Sequence, residues 1–534
     1  MPVGGRGSVI CADMHSRCAV VTVLAVVTAI VCEPGAASAG GAAPLASRAA
    51  KTGDIPDNPL LASVPVDTLY VFASFKPVPL EAQRGLVDLF APIAREAFAD
   101  YATMGNPTQQ RAGRQVLQDI AALDVKRFEE VGFTTRARFA LYELAGHGVL
   151  RLELASGDRV FKFVQHWNDG SESPVERGGH HYWVSGSTLG TIFLSIGPRE
   201  LVVTIAPRDV IQANLDLLLG IQRPAKALTT AQLRALAQRD GFTGQGVGFV
   251  DVARVGARVA ALLGAGDECS AAFAALGQRI PRIAVGLDDI APRRFSIGVV
   301  AEVAPAVVAE LRGLAGSLAG FDRALGQRPL LALATAANVE RVRPLLARLG
   351  GGLGDLGRAC QMSSVTEAMD KLAGAAARPL PPFFAGLRGA FVVINDVKVG
   401  HNGPESVVGF AAVQLDHTGG LAKLAPNIEI KPDRKPRSLA KLAPWPGHLA
   451  ASETTLGIAF GPKSEATVVD LVNARPVPAP LAMFQLDYTR IGRIAPSFTP
   501  DSNQGRVAAA LGLMTTQLVA DDRGLVVWTS FDLH

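Results

Sequence analysis

Short apolar runs alternate along the chain with stretches of helical periodicity. Runs of strand character at residues 69–74, 201–206, 248–251, 330–335, 456–461 and 483–487 each lead into a helical pattern. Residues 283–302 and 517–532 instead read as strand, turn, strand, with an Asp pair assigned to each turn (Asp288 and Asp289; Asp521 and Asp522). Hairpins mixed with strand–helix steps predict an α+β fold and not a doubly wound parallel sheet.

These runs occur in one order, twice. Residues 69–74 resemble 330–335, and 201–209 resemble 456–464, where a Pro-basic pair precedes helices at 210–219 and 465–472. Residues 248–260 resemble 483–495, sharing Asp-x-x-Arg-x-Gly as Asp251, Arg254 and Gly256, then Asp487, Arg490 and Gly492. The two strand–turn–strand stretches make the fourth match. Four landmarks in register predict an internal duplication into two tandem homologous domains, 59–322 and 323–534, joined within 320–327 after a helix at 307–318. Copies of this length are too long for solenoid repeats, which run about 20–50 residues. Asp251 and Asp487 stand where a strand turns into a helix, so both are expected to be N-caps.

The run from Cys18 to Cys32 holds 15 uncharged residues, follows Arg17 and precedes the small-residue site Ala37-Ser38-Ala39. That pattern predicts a signal peptide over 1–39, with Met14 as a candidate start and a flexible lead-in over 40–58. A lipid anchor at Cys32 ranks second, because Val31 is larger than the small residue a lipobox needs. No other run of 18 uncharged apolar residues occurs, so no transmembrane segment is expected in the mature chain. Cys269 and Cys360 remain after cleavage. They are expected either as a disulfide, which would then link the two domains, or as two buried thiols.

Composition narrows the function only by exclusion. The 534 residues carry 52 Lys+Arg against 48 Asp+Glu, a net charge of +4, too little to argue for nucleic acid. No serine-hydrolase elbow, P-loop, zincin or dithiol motif is present, and no cofactor is indicated. Gly352, Gly354 and Gly357 spell G-x-G-x-x-G, but a helical stretch precedes them where a dinucleotide site needs a strand. They and Gly244, Gly246 and Gly248 are expected in turns or C-caps. The densest polar-aromatic cluster is His166, Trp167, His180, His181 and Trp183, a candidate ligand-facing loop or metal site with Asp169, Glu172 or Glu176 as further donors. On a strand, His180 and His181 point to opposite faces. The bland alternative is a surface hairpin covering its sheet. His417, Trp445 and His448 are the looser counterpart in the second half, and 431–437 is a basic, Pro-containing stretch.

The segment 61–71, with Val64, Pro65, Asp67 and Thr68 before a first apolar strand, resembles exported bacterial proteins of unknown function of the DUF3352 type. The resemblance implies a bacterial envelope protein and supplies no catalytic residue; the Ala-, Gly- and Arg-rich composition suits a high-GC bacterium. The function expected is therefore an exported envelope protein, non-enzymatic, that binds a ligand or partner between its two domains. Two alternatives stand beside it. One is an exported metal-dependent enzyme or hydrolase using His166, His180 and His181. The other is a carrier of lipid-like ligands, motivated by a mean hydropathy of +0.25.

Overall fold

The computed structural model describes residues 55–77, 118, 125–165, 173–187, 190–262, 264, 266–291, 294–325, 328–380, 386–400, 403–418, 430–440, 445–494 and 511–533. The expected signal peptide, most of the lead-in, Cys32, His166 and Trp167 lie outside these residues. Strands and helices are interspersed throughout, an α+β arrangement. The chain divides into two compact units, 50–250 with 285–295, and 251–284 with 296–534.

The strands of the first unit are β1 (Tyr70–Ser74), β2 (Phe139–Leu144), β3 (His147–Glu153), β4 (Val175–Arg177), β5 (His180–Ser187), β6 (Gly190–Ile196), β7 (Glu200–Ala206) and β8 (Gly246–Asp251). They pair antiparallel in the order β8-β1-β2-β3-β7-β6-β5-β4. Alternation divides their side chains between two faces. One face carries Phe72, Leu141, Leu150, Val203, Leu194 and Trp183, packed with Val160, Phe161 and Val164 of helix α1 (Gly157–Gln165). The other carries Tyr142, Arg151 and Phe193, all buried. Beyond it the chain forms α2 (Arg208–Ala213), α3 (Leu215–Leu218) and α4 (Thr230–Asp240). The helix expected over 210–219 is thus two pieces. Asn214 interrupts it, its side-chain amide donating to the Val210 carbonyl at 2.8 Å, a local competitor for the helical ladder. Thr229 and Gln232 close a capping box at the start of α4, and Gly241, at φ +75°, ends it.

β9 (Arg282–Ala291) has residues in both units. The strands that follow are β10 (Arg294–Glu302), β11 (Ser317–Ala319), β12 (Leu331–Thr335), β13 (Leu387–Gly400), β14 (Gly403–Leu415), β15 (Arg437–Ser438), β16 (Gly447–Ala451), β17 (Thr455–Phe460), β18 (Pro476–Pro478), β19 (Ala482–Asp487), β20 (Leu511–Asp521) and β21 (Gly524–Leu533). In the second unit they pair in the order β15-β16-β17-β14-β13-β12-β19-β20-β21-β10, with β11 and β18 as a separate pair. Its helices include α5 (Val252–Leu262), α6 (Asp267–Arg279), α7 (Pro305–Arg312), α8 (Val339–Ala359), α9 (Ser363–Ala377), α10 (Ser464–Asn473) and α11 (Tyr488–Ile494). One sheet face buries Ala332, Phe391, Val393, Phe410, Ala459 and Met483 against Val468, Leu471 and Val472 of α10.

Several sequence expectations are corrected. The helix placed over 307–318 stops at Arg312, and residues 317–319 form β11. Asp288 and Asp289 lie within β9; Asp288 Oδ1 accepts from the Thr243 amide at 2.5 Å, so the carboxylate ties down a neighbouring loop instead of making the turn. The glycines of 350–357 are neither turns nor C-caps. α8 runs straight through them, because Gly350, Gly354 and Gly357 form one helical face against α9. A Cβ there would lie 3.0 Å from the Ala373 amide nitrogen, 2.8 Å from Asp370 Oδ1 and 2.5 Å from Thr366 Oγ1, respectively. Gly246 and Gly248 are strand residues of β8, whereas Gly244, at φ +79°, does turn the chain.

Cys269 in the first turn of α6 is bonded to Cys360, which ends α8, with Cα atoms 4.7 Å apart. Both residues belong to the second unit, so the bridge is internal to that unit and does not span the two. Residues 251–284 stand with the C-terminal part of the chain because α6 packs on α8 around this bond, through Ala260, Leu356 and Phe273.

Candidate functional site

The repeated Asp-x-x-Arg motif makes the same contact at both places. Asp251 Oδ1 accepts the Arg254 amide at 3.0 Å, and Asp487 Oδ1 accepts the Arg490 amide at 3.0 Å. Each carboxylate therefore caps the helix that follows its strand. Arg254 also pairs with Asp251 at 3.4 Å, while Arg490 reaches the Arg328 carbonyl at 3.1 Å and the Asn395 carbonyl. Asp→Ala at either position is expected to cost about 0.5–2 kcal/mol and Asp→Asn much less. Urea unfolding of the four variants checks this, and equal losses for Ala and Asn would show that charge, not capping, matters.

Of the polar-aromatic candidates, His180, His181 and Trp183 are described, and all lie on β5. Their period of two puts His181 and Trp183 on one face and His180 on the other. His181 stacks on Phe161 with ring centroids 4.0 Å apart, and Trp183 lies 5.7 Å from the same ring. His180 turns inward and is 9% exposed; its Nδ1 is 3.4 Å from Ser195 Oγ. The two histidines therefore do not converge. Among the described residues no group of three or more His, Cys, Asp or Glu is placed to hold a metal ion.

The second-half counterparts also have separate surroundings. His448 Nδ1 lies 2.9 Å from Ser464 Oγ at the start of α10, Trp445 packs edge-on to Phe460, and His417 is exposed. The basic stretch folds on itself: Arg437 grips Asp433 at 2.9 and 2.7 Å, and this guanidinium, with the Lys435 amide, holds the Asp433 carboxyl well below its usual range.

A different feature stands open. On the second unit's sheet, Val392 of β13 lies opposite Leu333 of β12, Leu333 opposite Phe484 of β19, and Phe484 opposite Thr516 of β20. Residues directly opposite share a face, so these four form one row. That face lines a groove of about 440 Å³ with Thr335, Ala390, Ala482 and Leu518 also on its walls. At one end Leu518 joins Leu311 of α7 and Leu345 of α8 in a packed cluster. In the middle the row is uncovered: Leu333 is 46% and Val392 41% exposed.

The same face continues along the β13–β14 hairpin. β13 meets β12 only over residues 390–394, and β14 meets β17 only over 409–414. Residues 396–400 and 403–408 pair only with each other among the described residues, as a two-stranded ribbon outrunning the sheet. Val407, Gly409 and Ala411 alternate onto the face of Val392, and the register pairs Val407 with Val397 and Pro404 with Val399. Val399, 53% exposed, follows a register irregularity after Lys398 near the ribbon's end. From Val392 to Val397 the stripe is roughly 15 Å long. In the first unit the β2–β3 hairpin has no such ribbon among the described residues. It closes at once, from Leu144 to His147, through Ala145 and Gly146 at positive φ.

Sequence reasoning missed this groove. Its side chains come from strands up to 185 positions apart, from Leu333 to Leu518, and nothing in their local pattern marks one face as uncovered. The continuous apolar run over 390–394, followed by alternation over 396–399, was the available signal. Compared with known proteins, the chain matches no family model, no curated protein and no solved structure.

Proposed function

We propose that the protein is an exported, non-enzymatic binding protein of the bacterial envelope that holds an apolar ligand, of the kind an acyl chain provides, on the open sheet face of its second unit. The observation that carries this reading is the exposed pair Leu333 and Val392, in one row with the half-buried Phe484, and the 440 Å³ groove this row lines, rimmed by Thr335 and Thr516. Apolar walls with few polar groups are the usual makeup of a small-molecule site. Export rests on the uncharged run of 18–32 and the Ala37-Ser38-Ala39 site; among the described residues no helix is long and apolar enough to cross a membrane. The resemblance of residues 61–71 to exported bacterial proteins points the same way.

Duplication is part of this proposal. In the first unit the pairing order is β8-β1-β2-β3-β7-β6-β5; in the second it is β19-β12-β13-β14-β17-β16-β15. Each places its first strand between the second and a much later one. The sequence landmarks fall on equivalent members, β1 and β12, β7 and β17, β8 and β19. On this reading the first copy fills the groove position with Phe72, whose ring lies close to Gly246 and Gly248, and the second copy leaves it open.

The mature chain should bind a fluorescent fatty acid and yield co-purified lipid on extraction. Leu333→Asp with Val392→Asp, both at exposed positions, should weaken that binding at least tenfold with little loss of stability, a change of about 1.4 kcal/mol. Unchanged binding in a folded double variant would remove the groove from consideration.

A further inference from the structure

We propose that His180 is a proton-operated latch that holds the β4–β5 hairpin onto the first unit's sheet when neutral and releases it when charged. The geometry is a tight seat. The His180 ring lies so close to Gly197 that a Cβ on that residue would sit 2.4 Å from Cε1, and its Nδ1 is 3.4 Å from Ser195 Oγ. Among the described residues Glu200 is the one carboxylate that bears on the ring.

The charges around it are already matched. Glu200 of β7 faces His180, but its Oε2 is 3.0 Å from Arg151 Nη1. Arg177 of β4, opposite His180 in the hairpin, is taken up by Asp216 of α3 at 2.7 Å. Arg151 from β3 and His181 from the same strand are the remaining charged or titratable groups that bear on the ring. Protonation would thus place a third positive charge among two guanidiniums and two carboxylates that satisfy one another. Burial first, then Arg151 and His181, hold the imidazole below the usual histidine range against the pull of Glu200.

The sign follows from linkage. The unfolded hairpin binds a proton near pH 6.5, and the folded one only at lower pH, so hairpin stability is complete above about pH 6.5 and falls as the pH drops through that window. The hairpin carries His181 and Trp183, so its release would uncover their packing on Phe161. An exported protein that meets acidic surroundings would then change its exposed surface without any other ligand.

Hydrogen exchange of the intact mature chain tests this. After correction for intrinsic rates, protection of amides in 175–187 should fall at least tenfold between pH 7.5 and 5.0 while β1–β3 keep theirs. His180→Phe, which keeps a ring in the seat but cannot charge, should abolish that fall. In the unaltered protein the His180 imidazole, followed by NMR, should titrate below 6.5 in step with the loss of protection. Protection that falls equally in His180→Phe, or an imidazole titrating at its ordinary value with the hairpin still protected, overturns the latch.

Discussion

Removing the Cys269–Cys360 bond by Cys→Ala at both positions is expected to lower the stability of the second unit by about 4–5 kcal/mol, the chain-entropy value for a closed loop of this size. The bond joins residues 91 positions apart, so its loss frees a large loop in the unfolded chain. The folded side also suffers. Cys269 is fully buried and Cys360 nearly so, in the cluster that joins α6 to α8. Alanine keeps that environment apolar but leaves the volume of two sulfurs unfilled. Urea unfolding with and without reductant measures the effect. The double variant and the reduced wild type should both fall well below the oxidised protein, the variant the lower of the two because it also loses the sulfurs' volume. A loss under about 1 kcal/mol would show that the packing of α6 on α8 holds without the cross-link.

Arg151→Met should destabilise the first unit by about 3–5 kcal/mol, the range found when one member of a buried ion pair is removed. The Arg151 side chain has no exposed surface. Its Nε donates to Tyr142 Oη at 3.1 Å, Nη1 to Glu200 at 3.0 Å, and Nη2 to the Leu217 and Leu218 carbonyls at 2.7 and 2.9 Å. Methionine fills the space but takes the donor from Tyr142, Glu200 and the Leu218 carbonyl, while the Leu217 carbonyl keeps the Gly220 amide at 3.1 Å. The Tyr142 phenol, pushed up by burial, stays protonated and cannot stand in as a charge. Arg151→Lys should recover little, since one ammonium cannot reproduce the planar fork that reaches Tyr142, Glu200 and both carbonyls. Arg151→Met with Glu200→Met should be less damaged than Arg151→Met alone, because the stranded carboxylate is gone. If the single and double variants unfold at the same urea concentration, Glu200 is already satisfied by solvent and the network is weaker than its geometry implies.

Arg151 shows why part of this molecule escaped sequence reading. It sits in an apolar strand, Val149 to Leu152, where alternation gives its face but not its partners. Tyr142 is 9 positions away on the neighbouring strand, but Glu200, Leu217 and Leu218 lie 49 to 67 positions away on β7 and α3, and only the assembled unit brings them together.

What the sequence determined by itself is what depends on a few neighbouring residues. The strand–helix steps at Asp251 and Asp487, with their caps, follow from an apolar run, a short acidic side chain and free amides one turn ahead. The division of His180 and His181 between two faces follows from the period of a strand. The mixture of hairpins and strand–helix steps that makes the fold α+β was equally legible. Tertiary structure decided the remainder. Gly350, Gly354 and Gly357 look like breakers in a linear reading, yet they stay helical because α9 approaches too closely for any Cβ, a contact made across a helix–helix interface. Two cysteines announce a possible bond, but only the packing of α6 on α8 places their Cα atoms 4.7 Å apart within one unit. The groove is the extreme case. Leu333, Val392 and Phe484 are ordinary strand residues in sequence. They become a candidate site because β12 inserts between β13 and β19, aligning three apolar side chains on a face whose middle no described element covers. Local propensity specifies which way a side chain points, and only the assembled sheet specifies what, if anything, it meets there.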